Sequence, residues 1–183
     1  KVALYLYNAP EYMEGAFAAF KAGLVPVNTN YRYLDDELAY LWDNADAVAV
    51  IFHGSFSERV DSVRGRLPKV RHWLWVDDGS GPKPDWAESY EDAAATPTER
   101  VVAPWGRSGD DILMIYTGGT TGMPKGVMWR QEDLIRAVIA VANPIYLEDQ
   151  EKVGYDAPIE SIAEPGLPGL PACPLMHGTG WFT

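Results

Sequence analysis

Apolar runs and helix-period stretches alternate along the first half of this chain. Residues 2–7, VALYLY, form a short unbroken apolar run bounded by Asn8 and Pro10, which by its length predicts a buried strand. Residues 11–22 follow as a helix with Met13, Phe17 and Phe20 spaced for one face, and Gly23 is placed to end it. Val25 to Asn28 is a short extended segment around Pro26. Residues 35–45 predict a second helix: Asp35, Asp36 and Glu37 suit the positive end of its dipole, and Leu38, Leu41, Trp42 and Ala45 fall on one stripe. Residues 47–52 (AVAVIF) predict the next strand. Ser55 and Glu58 have capping-box spacing, Val60, Val63 and Leu67 continue that helix, and Pro68 stops it. Residues 72–76 (HWLWV) predict another strand, and 77–84 (DDGSGPKP) a turn-rich loop.

This order predicts an α/β fold with a mostly parallel, helix-covered sheet. After a polar connection at 96–110, residues 112–117 (ILMIYT) predict a strand feeding a glycine-rich loop. Residues 130–142 predict the helix after it, with Leu134, Val138 and Val141 as its stripe and Ile135 and Ala142 alongside. The segment 148–174 carries five prolines and predicts a long irregular excursion. Residues 1–105 are expected to form a first, partial αβ subdomain, and 106–183 the loop segment and the start of a second.

Size and charge narrow the picture. A chain of 183 residues, 47% hydrophobic, fits one domain or a large piece of one and can bury a substantial core. It opens at Lys1 directly on a strand and stops at Thr183 with no closing element, so truncation at both ends is expected. A net charge of −11 argues against non-specific nucleic-acid binding, which needs basic surface. It does not argue against a nucleotide held by a few local donors. One cysteine, Cys173, excludes a disulfide framework and fits a reducing cytoplasm. No apolar run is long enough to span a bilayer.

The chemistry concentrates at residues 116–126, YTGGTTGMPKG. Gly118, Gly119 and Gly122 let the backbone approach a ligand closely. Successive N–H groups there can form an anion-binding nest. Thr117, Thr120 and Thr121 add hydroxyls for phosphate oxygens, or for Mg²⁺ and its waters. Lys125 supplies a mobile positive charge. A purely structural hairpin would rarely combine these groups. The pattern is not a Walker A loop, which needs Gly-Lys-Ser/Thr at a helix start; here Pro124 precedes the lysine and Gly126 follows it.

The segment resembles the hallmark Y-T-S-G-T-T-G-x-P-K-G of adenylate-forming acyl-CoA ligases, relatives of firefly luciferase and of peptide-synthetase adenylation domains, with Gly118 in place of serine. FKAGLVPVNTNYR at 20–32 resembles that family's upstream KAG segment, and PLMHGTG at 174–180 its PL-x-H-x-x-G segment. The variant YTGGTTGMPKGVMWRQEDL looks most like actinobacterial ligases for fatty acids or sterol side chains.

The resemblance implies the large N-terminal domain of such an enzyme, with ATP, Mg²⁺ and coenzyme A as co-substrates and cofactor. An acid and ATP would give acyl-AMP and pyrophosphate, then acyl-CoA and AMP. Thr117, Gly118, Gly119, Thr120, Thr121, Gly122 and Lys125 would hold the phosphates, Thr120 and Thr121 the metal, and Lys125 and His177 would act in catalysis. His177, Gly178 and Trp181 would line the acyl site, although tryptophan is more often simple packing. Other elements of the family lie beyond Thr183, so the 183-residue piece is expected to be inactive by itself. An acyl-AMP ligase that loads a carrier protein, a phosphotransferase and a non-catalytic module with this fold are the rival readings.

The remaining candidates read as structural. His53 and His72 have no motif context and read as structural or surface residues, Cys173 reads as a small buried hydrophobe, and Tyr31, Arg32 and Tyr33 as fixing the chain between strand and helix. Trp129 and Arg130 would orient the next helix. Glu148, Asp149 and Glu151 read as a solvated charge run. An open sheet edge would invite homo-oligomer pairing.

Overall fold

The unbroken apolar run becomes β1, Val2–Tyr5, with neighbours hydrogen-bonded on both sides. The structure, a computed structural model, describes residues 1–96, 99, 103–119, 122–142 and 173–181. β1 pairs in parallel with β2, Pro26–Asn28, and with β3, Ala49–His53. Its side chains alternate between two cores. Ala3 and Tyr5 join Leu38, Leu41, Trp42, Val60 and Trp73 on one face, and Val2 and Leu4 join Tyr12, Ala16, Ala19 and Tyr90 on the other. Burial on both faces is why the run is continuous rather than alternating.

Four more strands complete the sheet: β4 (His72–Val76), β5 (Glu88–Ser89), β6 (Ile112–Gly119) and β7 (Gly122–Arg130). The order is β5-β4-β3-β1-β2-β6-β7, parallel throughout except for the antiparallel pair β6–β7. Helices cover both faces, so the α/β reading holds. β6 adds to the free edge of β2, through the pair Val27↔Met114.

The helices are α1 (Pro10–Lys21), α2 (Asp35–Asn44), α3 (Ser57–Arg64), α4 (Tyr90–Ala95) and α5 (Gln131–Ala142). The path from β1 through α1 to β2 runs one way across the sheet. The path from β2 through α2 to β3 runs back past β1. Right-handed crossovers therefore send α1 and α2 to opposite faces. The carboxyl edge between β1 and β2 is thus a topological switch point, where ligands gather in such sheets.

The expected stripe of α2 holds: Leu38, Leu41 and Trp42 are fully buried. Trp42 meets Tyr5 and Trp73 edge-on at 5.6 and 6.0 Å, and its indole N–H donates to Thr29 Oγ1 at 3.1 Å. Each such aromatic pair contributes about 0.5–1.5 kcal/mol beyond area burial. Gly23 ends the α1 region as expected, with φ 71°; its N–H donates to Phe20 O and that of Leu24 to Ala19 O, a Schellman pattern.

Several expectations need correction. The inward face of α1 is Tyr12, Ala16 and Ala19, while Phe17 is 53% exposed. Small residues win because the helix lies close to the sheet: a Cβ on Gly15 would sit 2.8 Å from Ile51 Cδ1. No side chain caps α3, which follows a 3₁₀ turn at Gly54–Phe56; the Ser55 N–H instead donates to the Asp78 carboxylate at 3.1 Å. The strand β7 was not expected, nor were β5 and α4. The proline-rich stretch expected at 148–174 lies outside the described residues except for its last two, and Glu148, Asp149 and Glu151 lie wholly outside them.

Candidate active site at the phosphate hairpin

The glycine-threonine segment forms one end of a β-hairpin. Tyr116 stands opposite Gly126, Thr117 opposite Lys125 and Gly119 opposite Gly122, with an irregularity between Thr117 and Gly119. Directly opposed residues project to the same side of a sheet. The Thr117 hydroxyl and the Lys125 ammonium therefore rise from one face, both on exposed residues. Gly122 has φ 144°, a conformation that L side chains rarely adopt. Thr120 and Thr121, at the tip, lie outside the described residues.

The flanking residues explain the Pro-Lys-Gly ending. Pro124 is buried on an edge strand, where a missing N–H is tolerated. A Cβ on Gly126 would lie 3.0 Å from the Tyr116 ring, so glycine leaves room for that ring across the strands. The ring is anchored by its hydroxyl, which donates to Asn44 Oδ1 at 2.7 Å. Burial pushes the Tyr116 phenol up, which keeps it protonated and donating. Gly118, where the resembled pattern has serine, has room: a Cβ there would stand 3.5 Å from the Tyr33 hydroxyl.

At the base of the hairpin, Arg130 reaches Asp110 at 2.6 Å and Asp133 at 2.9 Å, joining β7 to the start of α5. Trp129 is 44% exposed. Leu134 is half-buried and Ile135 exposed; the side chains of Val138, Val141 and Ala142 lie outside what is described. Among the described residues nothing pairs with Lys125, in a chain with 26 acidic and 15 basic residues.

The second half of the site is residues 173–181. Leu175 and Met176 are buried and His177 is exposed. The Leu175 N–H donates to Asn8 Oδ1 at 2.8 Å, just beyond the end of β1. The Met176 carbonyl accepts from Asn28 Nδ2 at 2.6 Å, at the end of β2. The segment therefore lies across the β1–β2 switch point. The His177 N–H donates to Pro174 O at 2.9 Å, and the Gly180 N–H to His177 O at 2.9 Å, turning the chain into the helical turn Gly178–Trp181. A Cβ on Gly180 would fall 2.6 Å from Pro174 O, so this turn requires glycine. The side chain of Trp181 lies outside what is described.

This segment packs closely against β6, with Asn28, Leu113, Ile115, Met176, His177 and Gly178 along the seam. His177 and Gly178 thus sit against β6, the strand whose far end carries Thr117 and Gly118, with Lys125 opposite Thr117 on β7. Asn28 binds that strand as well. Its Oδ1 accepts from the Tyr116 N–H at 2.6 Å, and its Nδ2 donates to the Tyr116 carbonyl at 3.0 Å. The sequence reading quoted Asn28 but gave it no role. A polar side chain ending a three-residue buried strand was the available signal.

The donors present fit a phosphate chain: a hydroxyl, a glycine-lined backbone and an ammonium with no partner among the described residues. Among the described residues no group of three His, Cys, Asp or Glu side chains gathers around one point.

The residues read as structural fall into place. His53 is buried, with Nδ1 accepting from the Tyr7 N–H at 3.0 Å, and burial lowers its pKa. His72 is exposed beside Glu88. Cys173 is half-buried, less so than expected. Arg59 holds the Tyr31 and Tyr33 carbonyls, at 3.5 and 3.2 Å, and fixes the chain between β2 and α2. No helix among the described residues is long and apolar enough to cross a membrane.

Comparison with known proteins identifies a family. The family model described as AMP-binding enzyme matches residues 1–179. The medium-chain acyl-CoA ligase Mig of Mycobacterium avium is 37% identical over 98% of this chain and 32% of its own length. The 3-oxocholest-4-en-26-oate–CoA ligase of Rhodococcus rhodochrous is 38% identical over 97% of this chain and 32% of its own. Among solved structures, an anthranilate CoA ligase in complex with anthranoyl-AMP superimposes with a TM-score of 0.65 at 26% identity, covering 76% of this chain and 27% of that one. The chain spans about a third of the length of the curated relatives it matches.

Proposed function

The chain belongs to the AMP-binding enzyme family, and from that membership we propose that the full-length protein is an ATP-dependent carboxylate–CoA ligase. Its acids are medium- or long-chain fatty acids or steroid side-chain acids. The observation that carries this reading is the pairing of Thr117 with Lys125 on a glycine-ended hairpin, beside the strand that His177 flanks.

In the first step a carboxylate oxygen attacks the α-phosphorus of ATP. The bond to the β-phosphate oxygen breaks, and acyl-AMP and pyrophosphate form. In the second step the sulfur of coenzyme A attacks the acyl carbon, AMP leaves, and the thiol proton goes to solvent. Thr117, the backbone of Gly118 to Gly122 and Lys125 hold the β- and γ-phosphates, so negative charge on the departing pyrophosphate meets fixed donors. Magnesium, carried on the phosphates through Thr120 and Thr121, would neutralise part of that charge. His177 and Gly178 face the acyl side. This chain's contribution is mainly positioning and electrostatics.

Support for the acid class comes from the relatives: those with 37% and 38% identity are named as ligases of medium-chain acyl groups and of a steroid acid. Work in the cytoplasm, where ATP and coenzyme A are supplied, fits this reading. Its test is to incubate the full-length protein with ATP, magnesium, coenzyme A and a panel of fatty and steroid acids, then identify products by mass spectrometry. Acyl-CoA and AMP in equal amounts are expected. ADP as the nucleotide product, or acyl-AMP that no coenzyme A consumes, would contradict it.

A further inference from the structure

Three separate segments meet at one carboxamide. The end of β2 supplies Asn28, which is only 7% exposed. Its acceptor and both of its donors are engaged: Oδ1 by the Tyr116 N–H at 2.6 Å, Nδ2 by the Tyr116 carbonyl at 3.0 Å and the Met176 carbonyl at 2.6 Å. One N–H and two carbonyls around the group dictate which way the amide faces.

The pairing between β2 and β6 passes through Val27↔Met114. Beyond it, the Asn28 side chain takes the place of a strand neighbour for Tyr116, the residue immediately before Thr117. The same group holds Met176, the residue immediately before His177. A second carboxamide, Asn8, is bonded to Leu175 from the exit of β1. Asn8 is exposed and its Oδ1 acts there only as an acceptor.

We propose that Asn28, assisted by Asn8, is the positioning residue that fixes the phosphate hairpin and the His177 segment in one geometry, by bonding the backbone next to each. The inference rests on the ligase reading above. Asn28 touches neither reactant and acts through Tyr116 and Met176. It sets the separation between the two ends of the reacting pair, the α-phosphorus and the attacking carboxylate. Errors of about 1 Å in such a separation can cost about 100-fold in rate.

The chemistry of the two amides gives different signatures. At Asn8 only the acceptor is used, so aspartate replaces asparagine and alanine does not. At Asn28 two donors are used, so aspartate fails: its carboxylate faces two carbonyl oxygens. The experiment is acid-dependent exchange of pyrophosphate into ATP by the full-length protein, with KM measured separately for ATP and for a fatty acid.

Asn28→Asp is expected to raise both KM values and to lower kcat/KM by about 100-fold. Asn8→Ala is expected to raise KM for the acid about 2- to 12-fold, the value of one hydrogen bond, with KM for ATP unmoved. Asn8→Asp should restore it. Should Asn28→Asp fail to fold, the Asn8 pair carries the test. A merely structural role would lower kcat only in proportion to the loss of folded protein measured on the same samples, with both KM values unchanged and no difference between Asp and Ala at position 8. Either result overturns the inference while exchange by the wild type stands. No exchange by the wild type with any acid instead overturns the ligase reading beneath it.

Discussion

Replacing Lys125 with alanine separates the chemistry of the hairpin from its folding. Lys125 lies on an edge strand, exposed, opposite Thr117, and nothing among the described residues pairs with it. Losing it should change stability by no more than about 0.5 kcal/mol, as for other surface positions without such partners. Toward a phosphate, an ammonium forms a charge-assisted hydrogen bond with a net value of about 1.5–3 kcal/mol. At 1.4 kcal/mol per factor of ten, that range predicts a loss of about 10- to 150-fold in kcat/KM for ATP. Initial rates of pyrophosphate exchange at varied ATP, with thermal unfolding of the same samples, measure both quantities. Lys125→Arg should recover only part of the loss, because a planar fork replaces a compact charge. A change below about threefold in kcat/KM, less than one such bond would cause, removes Lys125 from the site. So does a loss matched by an equal loss of folded protein.

Three further outcomes follow from the same structure. Gly180→Ala places a Cβ 2.6 Å from Pro174 O; it should cost about 1–3 kcal/mol, read by denaturant unfolding, and raise KM for the acid. Gly118→Ser meets only an ordinary contact with Tyr33; unfolding should shift by less than about 0.5 kcal/mol, and a larger loss would refute the room assigned there. Burial pushes the Asp78 carboxyl up, but hydrogen bonds from Ser80 and Ser55 outweigh it and bring the pKa down from 3.8 to about 2. Its stabilisation is present above pH 3.8 and is lost as pH falls through about 2. Because the group is largely solvated, the contribution at neutral pH is only about 1 kcal/mol, and Asp78→Asn should erase it in a pH series of unfolding curves.

Periodicity made the central strands and α2 legible, because burial on two faces or on one stripe leaves a direct pattern. It misread α1. Phe17 and Phe20 carry more hydrophobicity than Ala16 and Ala19, yet the helix approaches the sheet most closely at Gly15, against Ile51, and that orientation buries Tyr12, Ala16 and Ala19 instead. It missed β7 because an edge strand carrying Pro124, Gly122 and Gly126 has no strand signature. What makes it a strand is pairing with β6, a tertiary fact. The candidate site on the hairpin was legible as a candidate because glycine, hydroxyl and lysine cluster within a few residues. Asn28 was not, since its two partner residues, Tyr116 and Met176, lie 88 and 148 positions away in sequence.

The central claim is that the hairpin from Thr117 to Lys125 serves an adenylation. Acid-dependent exchange of labelled pyrophosphate into ATP by the full-length protein tests it most directly. The account predicts exchange that requires magnesium and a fatty or steroid acid, and that proceeds without coenzyme A. Absence of exchange across the whole panel of acids, with ATP and magnesium saturating and the protein folded, would contradict it.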